Sequence, residues 1–225
     1  MNRTTASLLR KSLITIFLVL MVDQVLKFSI KTTMILGEEI PVFGNWFILH
    51  FTENRGMAFG MEFGGESGKL ILSLFRIVAV GFIAWYLYTL IKKQAGSGLI
   101  ICISLVFAGA LGNIIDSAFY GMLFSDSFFH PARFLPPERG YDTFLHGKVV
   151  DMFYFPIIQT TLPSWLPFWG GREFLFFRPV FNIADSSISV GVILLIIFQR
   201  KFFAKPEEKK TESQAEDLLA AESKV

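Results

Sequence analysis

The chain has one cysteine, Cys102, which excludes a disulfide framework and a thiolate metal cluster. It lies inside an apolar run, where a thiol is unreactive and serves as a small packing residue. Histidine is nearly as scarce. His50, His130 and His146 are the only three, and none stands at metal-ligand spacing, so no zinc peptidase and no metal site is expected. Ser186 and Ser187 have no His or Lys partner close in sequence, which leaves a serine mechanism with little support. Charge is also thin. Asp, Glu, Lys and Arg make up 18% of the residues and the net charge is +2, with no basic stripe that nucleic acid would need. No internal repeat and no cofactor motif is visible.

What is abundant is apolar. In 225 residues the hydrophobic share is 52%, with 26 Phe, and the mean hydropathy is +0.51. These values define a membrane protein before any motif is read. Crossing a hydrocarbon core about 30 Å thick takes roughly 20 mostly apolar residues. Four stretches meet or approach that length: about Leu13–Ile30, Leu70–Ile91, Leu99–Tyr120 and Val180–Phe198. The first begins like a signal peptide, with Arg3, Arg10 and Lys11 ahead of it. It then runs into Asp23-Gln24-Val25-Leu26-Lys27 rather than a small-residue cleavage site, so a retained helix is expected.

Basic residues flank the spans in three clusters: Arg3, Arg10 and Lys11; Lys92 and Lys93; and Arg200, Lys201 and Lys205. Four spans put all three on one side, so both termini are expected in the cytoplasm. The connections 31–69 and 121–179 then lie outside, each with as many acids as bases, or more. The segment from Glu38 to Phe51 alternates and is rich in aromatic and β-branched residues, which predicts strands. The second connection, with its prolines and with Trp165 and Trp169, reads as an irregular aromatic surface on the headgroup layer. Residues 206–225 form a charged cytoplasmic tail, helical or disordered. The predicted architecture is an all-α membrane bundle over residues 1–205, with a small extracytoplasmic β-sheet and an irregular outer insertion.

Ionisable side chains in hydrocarbon cost about 2.5–3.5 kcal/mol each on insertion scales, so those in spans are functional candidates. Asp23 and Lys27 are four apart and share a helix face, which permits a structural ion pair. Arg76 can snorkel to the interface or hold a carboxylate. Small residues at Gly109 and Gly112 permit close helix approach beside Asn113 and Asp116. At the fourth span, Asn182 suits a helix cap and Asp185 a first-turn acid. That reading does not account for Asp151, which sits in a Val-Val-Asp-Met-Phe setting at the same membrane depth. Two carboxylates sharing a desolvated site share a proton, and such a pair hydrolyses amides by acid–base chemistry.

These clusters, in this order, resemble the lipoprotein signal peptidase (signal peptidase II) family of bacterial inner-membrane aspartic endopeptidases. The matching pieces are Asp23-Gln24 with Lys27; Asn54-Arg55-Gly56 with Ala58-Phe59-Gly60; Gly109-Ala110 with Gly112-Asn113-Ile114-Ile115-Asp116; Val149-Val150-Asp151; and Phe181-Asn182 with Ala184-Asp185-Ser186. The resemblance covers roughly residues 12–200 and implies the following. Asp151 and Asp185 are a catalytic dyad that cleaves a prolipoprotein before its diacylglyceryl-modified cysteine. Asn54, Arg55, Gly56, Asn113, Asn182 and Ala184 line the site, while Asp23, Gln24, Lys27 and Asp116 support it. The region 38–60 is a cradle on the membrane surface, and the partners are substrate and lipids, with the chain a monomer.

Two departures stand out. The family pattern continues Asn-x-x-Asp with Arg, where this chain has Ser117, and Arg76 is a candidate substitute. Stretches 122–146 and 154–179 also exceed the compact pattern. Two other classes of function remain to be weighed. A proton-coupled transporter would relay through Asp23, Asp116 and Asp185, but no repeat is visible and Asp151 is left idle. A non-catalytic assembly factor would dock a partner on its aromatic outer surface.

Overall fold

In a computed structural model, Asn2 caps α1 (Arg3–Thr33) by accepting from Thr4 N at 3.2 Å. The described residues are 2–54, 65–156, 158–161, 163–165, 171, 173–176 and 179–203. Arg55, Gly56, the Ala58-Phe59-Gly60 stretch and the 206–225 tail lie outside them.

After α1 come β1 (Glu39–Phe43) and β2 (Phe47–Asn54), then the long helices α2 (Gly65–Lys92) and α3 (Ser97–Ile115). A π-helical segment, Asp116–Tyr120, and the short α4 (Gly121–Leu123) extend α3. Strands β3 (Val149–Tyr154), β4 (Ile158–Thr161), β5 (Glu173–Phe176) and β6 (Val180–Phe181) follow, then α5 (Ile183–Ile197) and α6 (Gln199–Phe203). The protein is mainly helical with a small antiparallel sheet, as the sequence predicts.

Among the described residues, three helices are long and apolar enough to cross a membrane: Arg3–Thr33, Gly68–Lys92 and Ser97–Leu123. Rings and branched chains such as Phe17, Phe75 and Val78 stay exposed on their outer faces, as lipid-facing residues do. The fourth apolar stretch differs from expectation. Val180 and Phe181 are strand, and the helix starts at Ile183 and runs 15 residues before a turn at Phe198. Asn182 causes the offset, because its extended backbone and capping side chain fix the first helical residue one position later.

One core gathers Leu8, Leu87, Leu90, Ile91, Leu99, Ile100 and Ile103, which brings together the start of α1 and the α2–α3 turn. Lys11 Nζ donates to Ser97 Oγ at 3.0 Å at the same end, and Phe202 lies against Gly98. The described members of the basic clusters, Arg3, Arg10 and Lys11, Lys92 and Lys93, and Arg200 and Lys201, therefore share one end of the bundle. A second core, with Ile30, Met34, Phe51, Phe124, Val150 and Met152, lies at the opposite end beneath the sheet.

The sheet order is β1-β2-β3-β6, all antiparallel, with β4 and β5 pairing separately. The strands predicted around 38–51 are present. In the described residues of the second connection, strand appears where the sequence predicts an irregular surface, because β3 lies along β2 and β6 along β3. Val150 and Met152 point into the core, so by the two-residue period Asp151 points to the other face.

α5 lies directly on α3. A Cβ at Gly109 would overlap the Ala184 carbonyl oxygen, and one at Gly112 would come within 2.9 Å of Asp23 Oδ2. The small residues read from sequence are thus where three polar elements converge.

Candidate functional site

α1, α3, α5 and β3 each deliver polar side chains to one buried network. Its cationic centre is Lys27 Nζ, 2.9 Å from Asp23 Oδ2 and 2.8 Å from Asp116 Oδ2. Lys27 also donates to Asn113 Oδ1 at 3.0 Å. The intrahelical pair expected from spacing therefore exists, and Lys27 is shared with a second acid on α3's extension.

Gln24 clamps the acids further, donating to Asp23 Oδ2 at 3.1 Å and Asp116 Oδ1 at 2.9 Å. Tyr120 OH donates to Gln24 Oε1 at 3.2 Å. Each acid also holds a backbone group outside its own helix. Asp23 Oδ1 accepts from Ala184 N at 2.9 Å, and Asp116 Oδ2 accepts from Val150 N at 3.3 Å. These two bonds fix the chain immediately before Asp185 and Asp151.

The two candidate acids meet through asparagines. Asn182 and Asp185 form a reciprocal capping box: Asp185 N donates to Asn182 Oδ1 at 2.9 Å, and Asn182 N to Asp185 Oδ2 at 3.4 Å. The Asn182 amide reaches Asp151 Oδ1 at 2.7 Å, the Val150 carbonyl at 3.2 Å and Asn113 Oδ1 at 3.2 Å. Asn113 Nδ2 donates to Asp185 Oδ1 at 2.8 Å. On the sheet, Thr52 stands opposite Asp151 and Asn54 opposite Val149. Asn54 is thus the diagonal same-face neighbour of Asp151, and its amide donates to Asp151 Oδ2.

Asp151 is 2% exposed, whereas Asp185 is half-buried. Burial, and then the Asp185 charge, push the Asp151 carboxyl up to about 8, against the opposing pull of Lys27, Asn182 and Asn54. It is protonated at neutral pH beside a second carboxylate. That pairing of a neutral acid with an acceptor is suited to general acid–base hydrolysis. Arg76 on α2 is within electrostatic reach of both Asp185 and Asp151.

Residues the sequence did not single out hold the sheet edge of the site. Glu53, buried beside Asn54, pairs with Lys31 and with Lys148, the latter at 3.3 Å. Ala132 N, on the outer insertion, donates to Lys31 O at 2.9 Å, and Lys31 Nζ to Ser127 Oγ at 3.2 Å. No spacing rule signals this, because its bonded partners are 22 to 101 residues apart.

Position 117 has a physical explanation. The insertion's return segment lies across it, with Gly147 N donating to Ser117 O at 2.9 Å and Leu145 N to Ala118 O at 3.3 Å. A Cβ at Gly147 would overlap the Asp116 carbonyl oxygen, so only glycine allows this approach. Ser117 is buried there, its hydroxyl donating to Asn113 O at 3.0 Å.

Apolar spanning helices, a sheet at one end and a carboxylate-bearing polar centre where they meet define a polytopic membrane protein with an enzyme-like interior site. The model of the family described as signal peptidase (SPase) II matches residues 15–201, and the chain belongs to that family. It is accordingly a peptidase and a multi-pass protein of the bacterial inner membrane. A lipoprotein signal peptidase of Porphyromonas gingivalis is 56% identical over 183 residues, covering 81% of this chain and 79% of the relative. One from Amoebophilus asiaticus is 35% identical over 210 residues, covering 92% and 85%. A solved structure titled as a bacterial membrane enzyme determined in meso is 27% identical. It has a TM-score of 0.54 and covers 87% of this chain and 92% of its own.

Proposed function

We propose that Asp151 and Asp185 are the catalytic dyad of a lipoprotein signal peptidase, which removes the signal peptide of a prolipoprotein before its diacylglyceryl-modified cysteine. The observation that carries this reading is the Asn182 side chain. It bonds Asp185 N and Asp151 Oδ1 at once, so both carboxyls belong to one site while one stays protonated. Asp185 takes a proton from water as the oxygen attacks the scissile carbonyl. Asp151 gives its proton to that carbonyl oxygen. As the tetrahedral adduct collapses and the C–N bond breaks, the proton held on Asp185 goes to the departing cysteine nitrogen and Asp151 takes back the proton from the adduct's hydroxyl.

Asn54, Asn113 and Asn182 orient the dyad. Arg55 and Gly56 contribute to substrate binding, and Ala184 lends its N–H to the support. Asp23, Gln24, Lys27 and Asp116 are structural. The basic end of the bundle is cytoplasmic by the positive-inside rule, so the site faces outward. α5 with α6 makes the fourth crossing, since Ile183–Phe203 at about 1.5 Å per residue spans about 30 Å. The working unit is a monomer among lipids. A lipidated substrate keeps its acyl chains in the bilayer while its amide reaches the water layer at the sheet.

The test is release of signal peptide from diacylglyceryl prolipoprotein by purified protein in detergent. Asp151→Asn and Asp185→Asn should each lower the rate by about 10³-fold or more. Wild-type activity should fall as pH rises through about 8, where the proton on Asp151 is lost. A variant keeping a tenth of the wild-type rate removes that residue from the dyad. A wild type inert on correctly modified substrate removes the peptidase assignment of substrate.

A further inference from the structure

The insertion between the third span and β3 closes on itself at a neck. Phe124 bridges Phe134, and Ser125 N donates to Arg133 O at 3.0 Å. Its tip is bonded to the outer end of α1, through Leu36 N to Ser127 O at 2.8 Å and Ala132 N to Lys31 O at 2.9 Å. The loop is therefore held rigidly against a spanning helix.

Its outward side is aromatic. Phe128 is 56% exposed and Phe129, at the tip, 92%. Lys148 covers part of Phe128, with its ammonium 5.3 Å from the ring centre. Phe134, 46% exposed, packs edge-on to Phe28 with centroids 5.2 Å apart. Phe28 is itself 41% exposed on α1, in line with exposed Val25 and Met21 one and two turns below. That stripe is the lipid-facing side of a membrane span. A second tie lies on the other helix, where exposed Phe119 meets exposed Phe144 with centroids 5.9 Å apart. The apolar surface thus continues without a break from the spans onto the insertion.

We propose that the 124–135 loop is an interfacial anchor, continuous with the lipid face of α1, that seats Phe128 and Phe129 in the headgroup and upper acyl layer of the outer leaflet. The occupant is lipid rather than protein because the surface it prolongs is already lipid-facing. Aromatic rings beside His130 and Arg133 are also the composition such a layer favours. Through Lys31, the anchor sets the membrane depth of Glu53 and its strand neighbour Asn54. It does not depend on which carboxylates are catalytic.

The test places a nitroxide at position 129 by Phe129→Cys in a Cys102→Ala background. The protein is held in nanodiscs of phosphatidylethanolamine with a minor share of phosphatidylglycerol. Labels at Phe17→Cys and Lys93→Cys give the lipid and water references. The ratio of oxygen to nickel-complex accessibility at 129 should shift away from the Lys93 value toward the Phe17 value, with the labelled protein melting as the unlabelled one does. Arg133→Cys, nearer the neck, should read intermediate. A water-like ratio at 129 overturns the anchor and leaves the ring for a protein partner.

Discussion

Lys27→Met removes the single cation between Asp23 and Asp116, a buried position with ion-pair distances of 2.9 and 2.8 Å. The methionine keeps most of the side-chain volume, so a cavity contributes little. What changes is charge: two carboxylates, both fully buried, lose their common counter-ion. Removing one partner of a buried pair typically costs about 3–5 kcal/mol, because the other charge is left uncompensated. At about 2–4 °C per kcal/mol for a chain of this length, that lowers the melting temperature by roughly 6–20 °C. Unfolding of the detergent-solubilised protein, followed by tryptophan fluorescence, reads the shift. The double variant Lys27→Met/Asp116→Asn should recover about half of it, since Asp23 alone still has Ala184 N–H and the Gln24 amide as donors. Because Asp23 holds the N–H beside Asp185, kcat should fall more than KM rises. A Lys27→Met protein melting within about 2 °C of wild type refutes the reasoning, since it would mean the pairs add under about 1 kcal/mol.

Gly109→Ala should cost about 1–3 kcal/mol, by forcing α5 off α3 where the new Cβ meets the Ala184 carbonyl, and should slow processing by loosening the Asn113–Asp185 bond. Gly81→Ala, with open space around it, is the matched control, and equal melting of the two variants would sink the packing argument. Arg76→Ala removes a cation within electrostatic reach of Asp151, so the pH–rate profile should move to higher pH, with Arg76→Lys moving it back. An unmoved profile would exclude Arg76 from the site's electrostatics.

What could be read from the sequence is what repeats along one element. Asp23 and Lys27 are four apart, and Asn182 and Asp185 three apart, so the ion pair and the capping box follow from helical geometry alone. The Gly109 and Gly112 contacts follow in the same way from small residues on one face. The cross-chain partners had no such signal. Nothing local tells Lys27 that Asp116 will be its second acid, or places β3 beside β2. The Val149–Tyr154 stretch lies nearly 100 residues from its partner strand, and its six residues alternate too briefly to separate strand from loop. Ser117 was legible as a departure but not as a consequence. Only the fold shows that Gly147 brings the insertion down onto that turn.

The division of labour among the acids follows from how each is neutralised. Asp23 and Asp116 share the Lys27 cation and bind backbone N–H groups, so their oxygens are spent on positioning. Asp151 and Asp185 receive mainly neutral amide donors from Asn54, Asn113 and Asn182. Amides orient a carboxyl without cancelling its charge. In the proposed dyad, buried Asp151 resolves its repulsion with half-buried Asp185 by keeping a proton, which is what acid–base hydrolysis requires. The asparagines therefore fix the geometry of the site and, by being uncharged, preserve its proton.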